Sequence, residues 1–143
     1  MRTSRFASLA VLSLLALIAA PAAVASGPSH ASLWQNQAKT LDCGNENSAF
    51  SKKFVLCSAQ GVPRPSHSSP NVGDPFVQLA ATGKPVLILI SQDTFATNKI
   101  KTLASGSTWS SRGVTCHVSG KTALCFNGDN HGFLIGNGHY QSF

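Results

Sequence analysis

The chain has 143 residues, and its 11 Lys and Arg against 5 Asp and Glu give a formal net charge of +6 at pH 7. This length predicts one domain with a modest core rather than several domains. The basic residues are spread along the chain without interleaved aromatic residues, which excludes the dense basic patch of a nucleic-acid-binding protein and leaves only weak attraction to anionic surfaces.

The start of the chain has the pattern of a signal peptide. Arg2 and Arg5 precede an apolar run over residues 6–20, and Ala23-Val24-Ala25 provides the small residues of a signal peptidase site. The apolar run is shorter than the roughly 20 residues that a membrane-spanning helix needs. We therefore predict a signal peptide at 1–25 and a single secreted β-rich domain at 26–143.

Removal of that segment leaves 9 basic and 5 acidic residues, a balance of +4. We expect the product to be extracellular or associated with the cell envelope, with no membrane span after the signal is removed. An anionic envelope polymer or another extracellular protein is the expected kind of partner. No cofactor and no specific nucleic acid are expected.

Short apolar segments alternate with turn residues in the first half of the predicted domain. Residues 32–41 are ambiguous, whereas residues 54–57 and 76–79 are each predicted to form a strand. Three prolines make residues 61–73 a loop, because proline cannot donate a hydrogen bond to a strand ladder.

The longest apolar run of the predicted domain is Val86-Leu87-Ile88-Leu89-Ile90. Five consecutive apolar residues bounded by Pro and Ser predict a strand that is buried on both faces and central in its sheet. Residues 92–107 return to a polar loop, in which Ile100 and Leu103 are the expected anchors.

Two β-hairpins are predicted at the C-terminal end. If Gly120-Lys121 is a two-residue turn of the Gly-first kind, Ser119 pairs with Thr122 and Cys116 faces Cys125. Alternation along the ladder makes the cysteines a non-hydrogen-bonded pair, in which side chains come closest. That closeness suits a disulfide, whose Cβ atoms are about 3.5–4.5 Å apart.

The second hairpin is indicated by Asn137-Gly138, since both central residues of such a turn adopt positive φ. Ile135 is then expected to face Tyr140. With Phe143 on the opposite side, we expect a final strand that is packed on both faces.

All four cysteines lie in the predicted mature chain, an even number that indicates a disulfide framework in an exported protein. Sequence alone allows three pairings. The hairpin register favours Cys116–Cys125, which leaves Cys43–Cys57. A metal site is the alternative, but the spacing lacks Cys-x-x-Cys pairs and no histidine follows at zinc-finger spacing, so no metal is expected.

A set of residues distributed over most of the predicted domain resembles one family. These residues are Cys43, Val55-Leu56-Cys57, Pro63-x-Pro65, Asp93-Thr94, Leu103, Gly106, Trp109, Gly113-Val114-Thr115-Cys116, Cys125-x-Asn127, His131-Gly132-Phe133 and Tyr140-x-x-Phe143. The pattern resembles a family of small exported actinobacterial proteins with a domain of unknown function. The resemblance implies export and a β fold, and it implies no activity.

Candidate chemistry is limited to Asp129 and His131, with His117 and His139 as neighbours that could assist. An acid beside an imidazole could act as acid and base in a small secreted hydrolase. Gly128-Asp129-Asn130 is equally the composition of a turn between two strands, and this structural interpretation is favoured. Esterase elbows and paired catalytic carboxylates are absent from the sequence.

Two further hypotheses concern binding. The aromatic residues could line a ligand groove, although in a small β domain they more often form the core. The 61–73 loop, tethered after Cys57, could be presented as a protease-inhibitor loop. The preferred prediction is a mainly β protein, a small antiparallel sheet or sandwich with C-terminal hairpins and two disulfides, that acts as a non-enzymatic envelope or extracellular binding module.

Overall fold

The structure is a computed structural model that describes residues 33–45, 53–66, 73–91 and 100–143. The predicted signal peptide lies outside the described residues. The strands are β1 Leu33–Asn36, β2 Leu41–Asn45, β3 Phe54–Ala59, β4 Asp74–Ala80, β5 Val86–Ile90, β6 Lys101–Leu103, β7 Thr108–Ser111, β8 Val114–Ser119, β9 Thr122–Asn127, β10 Gly132–Gly136 and β11 His139–Ser142.

These strands form two sheets. The six-stranded sheet has the order β5-β4-β3-β2-β1-β6, and the five-stranded sheet has the order β11-β10-β9-β8-β7. All neighbouring strands are antiparallel except β6, which returns to pair with β1 in parallel. The predicted mainly β fold is thus confirmed, and the ambiguous segment at 32–41 supplies β1, its turn and the start of β2.

Turn chemistry sets the register of both predicted hairpins. Gly120 has a φ of 59°, while Lys121 is not among the residues with positive φ, as a Gly-first turn requires. Cys116 consequently faces Cys125. Asn137 and Gly138 have φ values of 52° and 77°, and the predicted pairing of the strands that they join is also confirmed.

The core is built on two equivalent rows of side chains, one from each sheet. Each row contains one tryptophan and one disulfide: Trp34 with Cys43–Cys57, and Trp109 with Cys116–Cys125. The rows face each other, with 6.0 Å between the centres of the indole rings and 4.0 Å between Sγ of Cys57 and Sγ of Cys125. Both predicted disulfides are confirmed, and they lie back to back between the sheets.

The prediction that Val86–Ile90 is central is wrong, because β5 forms an edge of the six-stranded sheet. Val86 is 51% exposed, and the other four residues are half-buried. Leu87 packs against the core cluster, so only one face of the strand is directed inward. An unbroken apolar run has no alternation that would distinguish an edge strand from a central one, which explains the error.

The predicted polar loop at 92–107 contains β6, and of its two expected anchors only one is buried. Leu103 lies in the core with 4% exposure, whereas Ile100 is 39% exposed. Residues 92–99 of this prediction lie outside the described residues. The parallel pairing of β6 with β1 joins distant parts of the chain, which no local pattern indicates.

The last strand is packed on one side only. Tyr140 is half-buried, and its ring centre lies 6.5 Å from that of Phe133 in the core. Phe143 is 52% exposed, so the prediction of packing on both faces is wrong for this residue. The reason is that β11 is an edge strand, and the side of the five-stranded sheet that faces away from the core is not covered by a described strand.

Peptide mapping of the oxidised protein should recover only Cys43–Cys57 and Cys116–Cys125, because each pair is directly opposite in its ladder. The protein would be digested without reduction and its linked peptides identified by mass spectrometry. Since the sulfurs of Cys57 and Cys125 lie 4.0 Å apart, thiols must be blocked first to prevent exchange. A native bridge that joins the two sheets would contradict the structure.

Candidate functional site

Asp129 and His131 are held in the turn between β9 and β10 by the side chain of Asn127. Oδ1 of this asparagine accepts the backbone N–H groups of both residues, each at 3.1 Å. Asn130, between them, has a φ of 61°, a left-handed conformation that asparagine tolerates in turns. The turn predicted from composition is therefore present, and a buried asparagine organises it.

The same asparagine joins this turn to the other sheet. Asn127 is 3% exposed, and its Nδ2 donates to the carbonyl oxygens of Ala80 and Gly83 at 3.1 and 2.7 Å. Oδ2 of Asp129 accepts the N–H of Gly83 at 2.9 Å. These bonds tie the β9–β10 turn to the β4–β5 turn, so both side chains have structural roles.

Among the described residues, no hydrogen bond joins the carboxylate of Asp129 to the ring of His131. The described hydrogen bonds of Asp129 lead to Gly83 and Asn127, not to the His131 ring. Nδ1 of His117 is 3.0 Å from Oγ1 of Thr108, on the adjacent strand. His139 lies on the edge strand β11.

A second buried asparagine, which sequence reasoning missed, performs the equivalent task at the other end of the sandwich. Oδ1 of Asn36 accepts the N–H groups of Thr40 and Leu41 at 2.9 and 3.2 Å. Its Nδ2 donates to Oγ1 of Thr40 at 3.1 Å and to the carbonyl oxygen of Gly120 at 3.2 Å. The β1–β2 turn is thereby joined to the β8–β9 turn.

The four cysteine sulfurs lie within 4.8 Å of one another, close enough to surround a single metal ion. All four are buried, and none is a free thiol. Metal ligation by cysteine requires thiolates, which are consumed when the two bridges form. In the oxidised protein this cluster is therefore a structural centre.

A polar cleft of about 380 Å³ opens beside the described start of the 61–73 loop. Its charged lining consists of two cations and two carboxylates: Lys39, Arg64, Asp42 and Asp74. A smaller cleft of about 160 Å³ includes Lys121 and shares Thr40 and Gln60 with the first. The balanced charges of the larger cleft give it no strong preference for an anion or a cation.

The described ends of the 61–73 loop lie against the domain. Val62 is 6% exposed, and Nη2 of Arg64 donates to the carbonyl oxygen of Gly73 at 2.7 Å. A side chain on Gly61 would approach Cα of Gly138 to 3.1 Å, so the loop begins tightly packed on the β10–β11 turn. Residues 67–72, where a protease-binding segment would be presented, lie outside the described residues.

The five-stranded sheet has a second face, directed away from the core, which we call the outer face. It is defined by residues that share rows across the ladders. The outer face consists of Thr108, Ser110, Thr115, His117, Ser119, Thr122, Leu124, Phe126, Gly132, Leu134, Gly136, His139, Gln141 and Phe143. None of these residues is Asp, Glu, Lys or Arg.

Large apolar side chains are clustered on this outer face. Leu124 and Leu134 are directly opposite each other in the ladder and are 38% and 37% exposed. Phe143, at 52%, is the most exposed large apolar residue of the described chain. Three of the five exposed large apolar side chains in the described residues thus share one surface.

An aromatic group crosses the outer face beside the two leucines. The imidazole of His117 and the ring of Phe126 have centres 5.6 Å apart and planes inclined by 33°. The ring of Phe143 extends over Gly132, where an added Cβ would lie 2.7 Å from Cζ of Phe143 and 3.0 Å from Cβ of Phe126. Gly132 therefore provides the space in which the Phe143 ring lies.

Comparisons with known proteins give no match, whether with family models, curated proteins or solved structures. Within the described ranges, no helix is long and apolar enough to cross a membrane. A hypothesis about the function of this chain therefore rests on its surfaces and on the side chains that they expose.

Replacing Asn127 with Ala should lower the free energy of unfolding by about 3 kcal/mol, because its buried partners lose their hydrogen bonds. His131→Ala should cost less than about 1 kcal/mol, since the backbone of His131, not its ring, is bonded to Asn127. Chemical denaturation of both variants with intact disulfides measures the two values. A larger loss for His131→Ala than for Asn127→Ala would contradict this account of the turn.

Proposed function

We propose that this chain is a non-enzymatic binding module that acts outside the cytoplasm, and that its outer face is the binding surface. The observation that carries the proposal is the cluster of exposed apolar side chains on a face without Asp, Glu, Lys or Arg. Apolar clusters that stay in contact with water often mark interaction sites, because covering them releases free energy.

Location outside the cytoplasm is supported by two features. Both disulfides are buried in the core, and bridges of this kind persist in oxidising compartments. The signal-peptide pattern at 1–25 favours secretion or retention in the envelope. The proposal also retains the resemblance to small exported actinobacterial proteins, which agrees with this location and adds no activity.

The binding hypothesis is favoured over the hydrolase hypothesis by the bonds of the predicted catalytic residues. Asp129 binds the backbone of one turn and is itself bound by Asn127, so its carboxylate stabilises the fold. An acid–base pair needs two groups that can reach the same substrate. The described geometry instead directs the Asp129 carboxylate to the amide of Gly83.

The expected anionic partner is not favoured by the outer face, which has no lysine or arginine. Basic side chains lie near the clefts, where Lys39 and Arg64 are accompanied by Asp42 and Asp74. An anionic polymer would therefore meet carboxylates together with the cations. Another extracellular molecule that is itself uncharged, or a protein with an apolar patch, fits the outer face better.

The test is binding of the purified mature protein to the isolated cell envelope of its producer. We expect Leu124→Ser with Leu134→Ser to weaken binding about tenfold, since two apolar side chains leave the contact. Val86→Ser is the control, because Val86 is also an exposed apolar residue, at 51%, but lies on the other sheet. Sedimentation of the envelope with bound protein gives the binding curves, and melting temperatures show that each variant is folded.

Equal binding by the wild type and the Leu124/Leu134 variant would contradict the assignment of the outer face. Loss of binding only in Val86→Ser would move the site to the exposed edge strand β5.

A further inference from the structure

We propose that the ligand of the outer face is an uncharged polysaccharide, bound across strands β8 to β11. This inference rests on the proposed function and adds the chemical class of the ligand. Three properties of the outer face support it: the absence of Asp, Glu, Lys and Arg, a group of neighbouring aromatic rings, and hydroxyl and amide groups beside those rings.

The composition of the outer face restricts the charge of its ligand. The outer face contains two histidines and no Asp, Glu, Lys or Arg. A nucleic acid or another polyanion gains most of its affinity from lysine and arginine, which this face lacks. A ligand without charge loses nothing from their absence, so the surface and an uncharged polymer are electrostatically matched.

The aromatic rings supply the apolar part of the contact. His117 is on β8, Phe126 is on β9, and Phe143 is bonded to Gly132 at the edge beyond β10. Three strand spacings separate β8 from β11, which is about 14 Å at the usual spacing of strands. Sugar rings have apolar C–H faces that can lie on aromatic rings, and a surface of this length can contact several consecutive sugar units.

Gly132 gives this aromatic group its shape. Its backbone N–H and C=O both bond to Phe143, at 3.1 and 2.9 Å, which holds the last residue beside β10. Because Gly132 has no side chain, the Phe143 ring can lie across the strand toward Phe126. The tip of the Phe143 ring and the Cβ atom of Phe126 therefore lie close together over Gly132.

Hydroxyl groups lie in fixed positions next to the rings. Oγ1 of Thr108 is 3.0 Å from Nδ1 of His117, and Oγ of Ser110 is 3.0 Å from Oγ1 of Thr115. A hydroxyl that makes one such bond can still accept or donate another. Gln141 adds an amide in the same row as Leu134. These groups can donate hydrogen bonds to sugar hydroxyls and accept hydrogen bonds from them.

The experiment measures retardation of the mature, disulfide-bonded protein in native gels that contain a soluble neutral polysaccharide. Hydroxyethyl cellulose, dextran and galactomannan serve as neutral probes, and sedimentation with chitin particles adds an insoluble one. Polygalacturonate is the anionic comparison, phosphatidylcholine vesicles test a lipid surface, and analytical ultracentrifugation tests self-association.

We expect at least one neutral polysaccharide to bind, with an affinity that does not change when salt is added, because no ion pair contributes. Phe143→Ser should weaken binding about tenfold, which corresponds to about 1.4 kcal/mol. Phe143→Trp should restore it, since an aromatic surface is retained, and Val86→Ser should bind as the wild type does. Near-ultraviolet circular dichroism of each variant confirms folding.

The inference is overturned if no neutral polysaccharide binds, if Phe143→Ser binds as well as the wild type, or if only polygalacturonate binds. Vesicle binding or self-association that depends on Phe143 would overturn the choice of ligand and leave the binding surface in place. If Phe143→Ser, Leu124→Ser and Leu134→Ser leave every interaction unchanged, the proposed function fails as well.

Discussion

Contact between the two disulfides is the interaction on which the rest of this fold depends. Sγ of Cys57 and Sγ of Cys125 lie 4.0 Å apart at the centre of the sandwich, and a tryptophan lies beside each bridge. A domain of this size buries little apolar surface, and cross-links that restrict the unfolded chain compensate for that deficit. Both sheets are therefore attached to one compact sulfur and indole centre.

The ends of the sandwich are joined by hydrogen bonds, and this leaves few positions for function. Asn36 and Asn127 each join a turn of one sheet to a turn of the other, so the side-chain amides of both residues are used in holding the fold together. The inner faces are filled by the core. The outer face of the five-stranded sheet carries three of the five exposed large apolar side chains of the described residues, and it is the surface to which we assign binding.

Turns and hairpin registers depend on neighbouring residues and could be predicted from the sequence. Contacts between residues that are far apart in the sequence could not. Gly120 and Asn137-Gly138 define tight turns, so the hairpin registers and one disulfide followed from adjacent residues. The side chain of Asn36 donates a hydrogen bond to Gly120, which lies 84 residues later in the sequence. No local sequence pattern indicates such a contact. Phe126 and Phe133 are the same residue type, and only the register places one on the outer face and the other in the core. For this reason the sequence suggested an aromatic groove or an aromatic core without separating the two.

The most direct test of the account is a nuclear magnetic resonance titration of the isotope-labelled mature protein with a soluble neutral polysaccharide fragment. Backbone amide shifts would be followed for every assigned residue as the ligand is added. We expect changes concentrated on β8 to β11 around Phe126, Gly132 and Leu134. Changes confined to the turn at Asp129 and His131, or to the cleft at Lys39 and Arg64, would contradict it.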